Sequence, residues 1–113
     1  MNFIKYFKQL FEGFFDLNSI RNWKIYYYHN NEHNLEDRIK KRTNLNEEIF
    51  NDFLYKVVEV SEIDNLNGDW VFVSFKYSFK IIIDIENTKN KILIITILGP
   101  NEKTKETKNI KVI

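Results

Sequence analysis

Between Asp69 and Leu98 the chain runs through three apolar stretches, DWVFVSFK, FKIIIDIE and KILIITIL, separated only by Tyr77-Ser78 and by Asn87 to Asn90. Linkers this short join antiparallel neighbours and cannot carry the crossover that consecutive parallel strands require. Alternation within the stretches says which side chains leave the core. From Phe79 to Glu86, Phe79, Ile81, Ile83 and Ile85 share one face while Lys80, Ile82, Asp84 and Glu86 share the other. Ser74 and Lys76 fall on the Trp70 side of the first stretch. Thr96 stands alone as a polar residue inside the last one, where its branched side chain packs much as valine does. Just upstream, Val58 to Ile63 alternates as well, and DNLNG after it reads as a hairpin loop. The prediction is a four-stranded antiparallel meander with one well-buried face.

The remainder of the chain supplies cover for that sheet. From Asn2 to Asp16, Phe3, Phe7, Leu10, Phe11 and Phe14 recur at three- and four-residue intervals, which predicts an amphipathic helix within residues 1–18, weakened at Gly13. Its phenylalanine face has three candidate destinations: the domain's own sheet, a partner protein, or a membrane surface. Glu12 and Asp16 balance Lys5 and Lys8, so the cationic bias of a membrane-surface helix is missing. Arg21 to Tyr28, RNWKIYYY, reads as an outer strand. Asn44 with Glu47 three residues on resembles a capping box, opening a helix whose buried face is Ile49, Phe50, Phe53, Leu54 and Val57. Gly99-Pro100 ends the last strand, and residues 99–113 read as a flexible, lysine-bearing tail. At 113 residues this is one α+β domain, and 43% hydrophobic and 16% aromatic content argue against disorder. A net charge of +1 gives no global field to attract nucleic acid, so any such site must be a local patch. With no cysteine, disulfides and thiolate chemistry are excluded. No apolar run is long enough for a transmembrane helix and no secretory signal is evident, which predicts a cytoplasmic protein.

One cationic segment stands out. If Asn34 caps a short helix from Leu35 to Lys41 or Arg42, Leu35 and Ile39 face a core, while Glu36 and Asp37 lie four before Lys40 and Lys41 and pair with them. Arg38 and Arg42, one turn apart, have no acid four residues before them. Two guanidiniums so placed can fork onto phosphate oxygens, although a solvated charged face, or neutralisation of Arg42 by Glu47 or Glu48, accounts for them equally well. Upstream, His29 to His33 spells H-x-x-E-H, a metalloprotease pattern that needs both histidines on one helix. Two asparagines directly after a strand make a poor helix, so no metal site is predicted.

The run H-x(4)-R-I-K-K-R, the turn at Thr43 to Leu45, the helix EEIFNDFL and the apolar strands together resemble the RelE-like small ribonucleases, including the RegB-like and toxin-like domains. The resemblance spans Trp23 to Leu98. It implies the RelE-like form of the fold above: an N-terminal helix and strand, two short helices, then the antiparallel meander. It also implies a metal-independent endoribonuclease, a hydrolase without cofactor whose partner is single-stranded RNA, not DNA, with an antitoxin as a further candidate partner. Cleavage of this type needs a group to take the ribose 2′-hydroxyl proton and cations on the phosphate. The candidates are His33, then His29, for the first, and Arg38 and Arg42 for the second. Lys41, Lys76 and Lys80 add phosphate contacts, and Tyr28 or Tyr77 can stack an unpaired base. The family's histidine stands four before the first arginine, whereas His33 stands five before Arg38. That offset and the low net charge keep open a second reading, a non-catalytic protein-interaction module of the same fold, phage-encoded and holding a host protein.

Overall fold

The structure is a computed structural model, which describes residues 13–29, 45–99 and 109–113. Six strands form one mixed sheet in the order β1-β2-β5-β4-β3-β6: β1 is Gly13–Ile20, β2 Trp23–His29, β3 Gly68–Ser74, β4 Phe79–Glu86, β5 Lys91–Leu98 and β6 Ile110–Val112. A single α-helix among the described residues, α1 at Glu47–Ile63, packs on one face. The expected fold, a four-stranded antiparallel meander with several helices, is therefore corrected. Only β3, β4 and β5 form a meander. The sheet is extended on one side by the β1–β2 hairpin, with β2 parallel to β5, and on the other by β6, parallel to β3.

Each difference has a local cause. Val58 to Ile63, read as a strand, belongs to α1, because Val57, Val58 and Ser61 continue the helical stripe of Phe50, Phe53 and Leu54. Ser61 is accommodated by donating its hydroxyl to the Val57 carbonyl at 2.7 Å. The DNLNG segment ends this helix instead of turning a hairpin. Asn65 takes a left-handed φ of 50°, its N–H donates to the Glu62 carbonyl, and the Leu66 N–H donates to the Ser61 carbonyl. That is a Schellman stop, with asparagine where glycine is more usual. The helix begins at Asn46, not Asn44: the Asn46 side chain accepts the Ile49 N–H at 2.8 Å. The expected N-terminal helix over 1–18 is corrected from Gly13 onward, where the chain is strand β1; residues 1–12 lie outside the described residues. Arg21 and Asn22 turn this hairpin with φ of 49° and 69°, the paired positive values of a type I′ turn. In the expected tail, Ile110–Val112 forms a strand, while residues 100–108 lie outside the description.

The core lies between α1 and one sheet face. Phe53 meets Phe79 edge to face at 4.5 Å, and Trp23, Ile25, Phe72, Ile81, Ile83, Ile92, Ile94 and Ile97 are nearly or fully buried around them. Burying side chains of this size stabilises by about 1.5–3 kcal/mol each relative to exposure. Strand β4 alternates buried and half-buried residues throughout, as its sequence pattern predicts. Phe79 opens β4 while α1 ends beside the β4–β5 turn, so the helix runs from the β3–β4 turn at its start to the β4–β5 turn at its end.

The end of α1 is fastened by side chains from three other places. Asn87 donates through Nδ2 to the Ser61 carbonyl at 3.1 Å and to the Leu66 carbonyl at 2.9 Å. Arg21 pairs with Glu62 at 3.1 Å and Lys111 with Asp64 at 2.8 Å. These cations supply the positive charge that the last turn of the helix itself lacks. The pairs are half-exposed and stabilise little individually, whereas the two Asn87 bonds satisfy part-buried carbonyls. Asn87→Ala is expected to lower unfolding stability by about 1–3 kcal/mol, read as a lower urea midpoint at unchanged slope; an unchanged midpoint would show that water replaces the amide without cost.

Candidate functional site

The β3–β4 turn, Phe75 to Ser78, gathers more of the predicted site residues than any other described place. Its shape follows from two local features. Ser78 adopts a left-handed φ of 56°, and the Tyr77 N–H donates to the buried Ser74 hydroxyl at 3.2 Å, which closes the turn. Phe79 then drops into the core against Phe53, leaving Phe75 to project outward with 76% of its surface exposed. The Lys76 ammonium sits 5.2 Å from the centre of the Tyr77 ring, a cation–π contact. Lys80 follows on the face opposite α1, and Val73, Ser74, Phe75, Ser78, Phe79 and Lys80 line an open depression beside the turn.

Topology brings further residues to the same end of the sheet. Strands β2 and β5 run parallel, so both finish near this turn, β5 opposite Lys80 through Leu98. Tyr28, next to last in β2, lies on the same face as Lys80, two strands across and two to three residues short of it along the strand, roughly 13 Å away by strand geometry. His29 is the last residue of β2. It thus begins the H-x-x-E-H pattern on a strand and not on the helix that metal ligation by such a pattern requires. Among the described residues no cluster of three metal-ligating side chains occurs. His33, Arg38, Lys41 and Arg42 lie outside the described residues, on the segment that leaves at His29 and re-enters at Leu45. Lys76, Lys80, Tyr77 and Tyr28 are thus brought to one end, and the geometry of the remaining four is not defined.

Sequence reasoning did not single out Phe75, although its position in a tight turn between two strands was the available signal. It also placed Asp84 and Glu86 on one face without their neighbour. Cross-strand register sets Asp69 directly opposite Asp84, with Glu86 two residues further along the same face. Partial burial raises the Asp84 carboxyl above its ordinary value, and repulsion from Asp69 and then Glu86 adds to it. One Glu86 oxygen is buried without a hydrogen bond, with the Lys89 ammonium 3.6 Å away. On the neighbouring strands Lys91 lies 5.1 Å from the Tyr26 ring centre.

No protein-family profile, curated protein or solved structure matches the chain. Among the described residues no helix is long and apolar enough to cross a membrane. The likeness to RelE-like ribonucleases therefore rests on the sequence pattern alone, and the part of it that concerned the fold does not hold.

The acidic row has a measurable consequence. Because the folded state holds the Asp84 proton more tightly than the unfolded chain does, folding takes up a proton in the acidic range. Stability then falls as pH rises from the ordinary carboxylate value through the raised one. Asp84→Asn should give a higher Tm than the parent above that interval and no gain below it, measured by calorimetry across the acidic-to-neutral range. An equal Tm difference at every pH would mean that the charge of Asp84 costs nothing.

Proposed function

We propose that the protein binds single-stranded RNA at the β3–β4 end of its sheet and acts there as a metal-independent endoribonuclease. The observation that carries the binding reading is the turn itself: Phe75, Lys76, Tyr77 and Lys80 lie within six residues, one ring largely exposed and the other beneath an ammonium. Unpaired bases stack on aromatic faces, and lysines track the backbone beside them. With net charge near zero, such a patch acts locally and falls off steeply with salt. Tyr28 offers a second stacking surface on the same end.

Cleavage rests on residues 30–44 and on the sequence pattern. In this reading His33 takes the proton from a ribose 2′-oxygen, which attacks the adjacent phosphorus and expels the 5′-oxygen. The expelled oxygen receives a proton, leaving a 2′,3′-cyclic phosphate and a 5′-hydroxyl. Arg38 and Arg42 hold the phosphate oxygens as charge builds on them, with Lys41 beside them. His29, at the end of β2, is the alternative acid or base.

A protein-interaction reading has one observation in its favour. Ile110 and Val112 on β6 are more than half exposed, at a sheet edge where a partner strand can add. Salt separates the two readings. Binding of a labelled RNA oligonucleotide, followed by fluorescence polarisation, should weaken at least tenfold in Lys76→Glu and in Phe75→Ala, and Lys76→Glu should reduce the salt slope by about one. Arg38→Ala and His33→Ala should abolish cleavage while leaving circular dichroism unchanged. A parent protein that neither binds nor cuts RNA at low salt removes this proposal and leaves the β6 edge as the better reading.

A further inference from the structure

The geometry points to Asn67 as a site of spontaneous covalent modification, whose conversion to isoaspartate unfastens the end of α1. Asn67-Gly68 is the chain's one Asn-Gly pair, every other asparagine being followed by a residue with a side chain. In such a pair the nitrogen of the second residue adds to the side-chain carbonyl carbon of the first, an approach that a side chain on the second residue obstructs. Gly68 presents none, the space beside its Cα is open, and glycine holds its φ of 83° without steric cost. Asn67 is exposed, so hydroxide from solvent reaches the pair. Gly68 sits opposite Ile85 at the end of the β3–β4 ladder, where the last rung opens most readily and frees the Gly68 N–H.

Two donors stand on the oxygens that take up charge in this reaction. The Trp70 indole N–H donates to the Asn67 carbonyl at 3.0 Å, which stabilises the amide anion left when hydroxide removes the Gly68 proton. The Asn87 N–H donates to Asn67 Oδ1 at 3.1 Å, the oxygen that becomes negative as the Gly68 nitrogen bonds to Cγ. Collapse of that adduct breaks the bond from Cγ to the side-chain nitrogen, which leaves as ammonia with a proton from water, and a succinimide ring remains. Water opens the ring. Addition at Cγ gives aspartate, while addition at the original main-chain carbonyl carbon breaks its bond to the Gly68 nitrogen and gives isoaspartate, the chain now running through the former side chain. The net change consumes one water and releases one ammonia. Both oxygens that fasten this end are displaced by it: Oδ1 becomes the main-chain carbonyl oxygen, and the acceptor of the Trp70 bond becomes a free carboxylate. Asn87 loses the bond that orients it toward the Ser61 and Leu66 carbonyls, and the new negative charge arrives at a helix end whose last turn carries no basic residue.

The test is prolonged incubation of the folded full chain in mildly alkaline buffer, followed by tryptic digestion and mass spectrometry. The peptide of residues 57–76 carries both Asn65 and Asn67, and fragmentation tells them apart. Asn67 should gain one mass unit while Asn65, Asn87 and Asn90 stay unchanged, and an isoaspartyl carboxyl methyltransferase should transfer labelled methyl groups to that peptide alone. Ion exchange separates the modified chains by their extra negative charge, and their urea midpoint should lie below that of the intact fraction. The proposal is overturned if Asn67 in the folded chain stays intact over a period in which the synthetic peptide of residues 57–76 reacts. Equal conversion at Asn65 overturns it as well, since the Asn-Gly pair would then confer nothing. A modified fraction with the midpoint of the intact chain overturns the link to the end of α1, and with it the proposal.

Discussion

The parallel pairing of β2 with β5 is the contact on which the rest of the architecture depends. Four residue pairs, from Lys24 opposite Lys91 to Tyr27 opposite Ile94, join a hairpin at one end of the sequence to a meander near the other. A hydrogen bond from the Lys24 N–H to the Asn90 carbonyl at 2.9 Å sets the register. Once β5 has β2 on one side and β4 on the other it becomes an interior strand, which is why KILIITIL is so uniformly apolar. Parallel neighbours also demand a long crossover. Here that crossover contains α1, β3 and β4, so the helix that covers the sheet and the turn that carries the candidate site are both parts of one connection.

What was legible in the sequence follows the range of the interactions involved. Strands β4 and β5 are fixed by their own alternation and by linkers too short for any other connection, and both appear at the boundaries the pattern gives. The buried face of α1 is likewise local, from Phe50 through Val57. The parallel pairings of β2 with β5 and β3 with β6 leave no trace in any one segment, and β1 and β6 were not among the five strands that the pattern offered. Strand β1 was missed because the helical stripe was read from Phe3 to Phe14, of which only Phe14 falls in the strand, and because a bulge between Asp16 and Asn18 interrupts the alternation that would have marked it. At Val58 to Ile63 the error is reversed: Val58 and Val60 alternate with glutamate, but no turn residue precedes Asp64, and a helix already under way continues until one does.

The candidate site divides along the same line. Lys76, Tyr77 and Lys80 are brought together by a four-residue turn, so their proximity was readable from sequence spacing. The opposition of Asp69 and Asp84 depends on the register of the β3–β4 pair, which is set fifteen residues apart and by a turn whose left-handed position is a serine, not the glycine that would have announced it. Arg38 and Arg42 were readable as a like-charged pair on a helical repeat, but which way they point is a tertiary matter that periodicity does not address.

The two ends of the sheet differ in how they are held. At the end remote from the β3–β4 turn, the helix C-terminus is closed by its own Schellman stop, by the Asn87 amide, and by Arg21 and Lys111 arriving from separate strands. Asn67 adds to this fastening, accepting the Asn87 N–H through its side chain and the Trp70 indole N–H through its carbonyl. At the other end the turn is closed by the Ser74 hydroxyl, and the ring of Phe75 is left in solvent. Rigid closure at one end allows the other to carry exposed aromatic and cationic groups without loosening the core, because Phe79 and Phe53 anchor the base of the turn directly beneath them. An exposed phenylalanine held on a well-anchored turn gives up little further freedom when something stacks on it, and that physical advantage is what makes this end the better place for recognition.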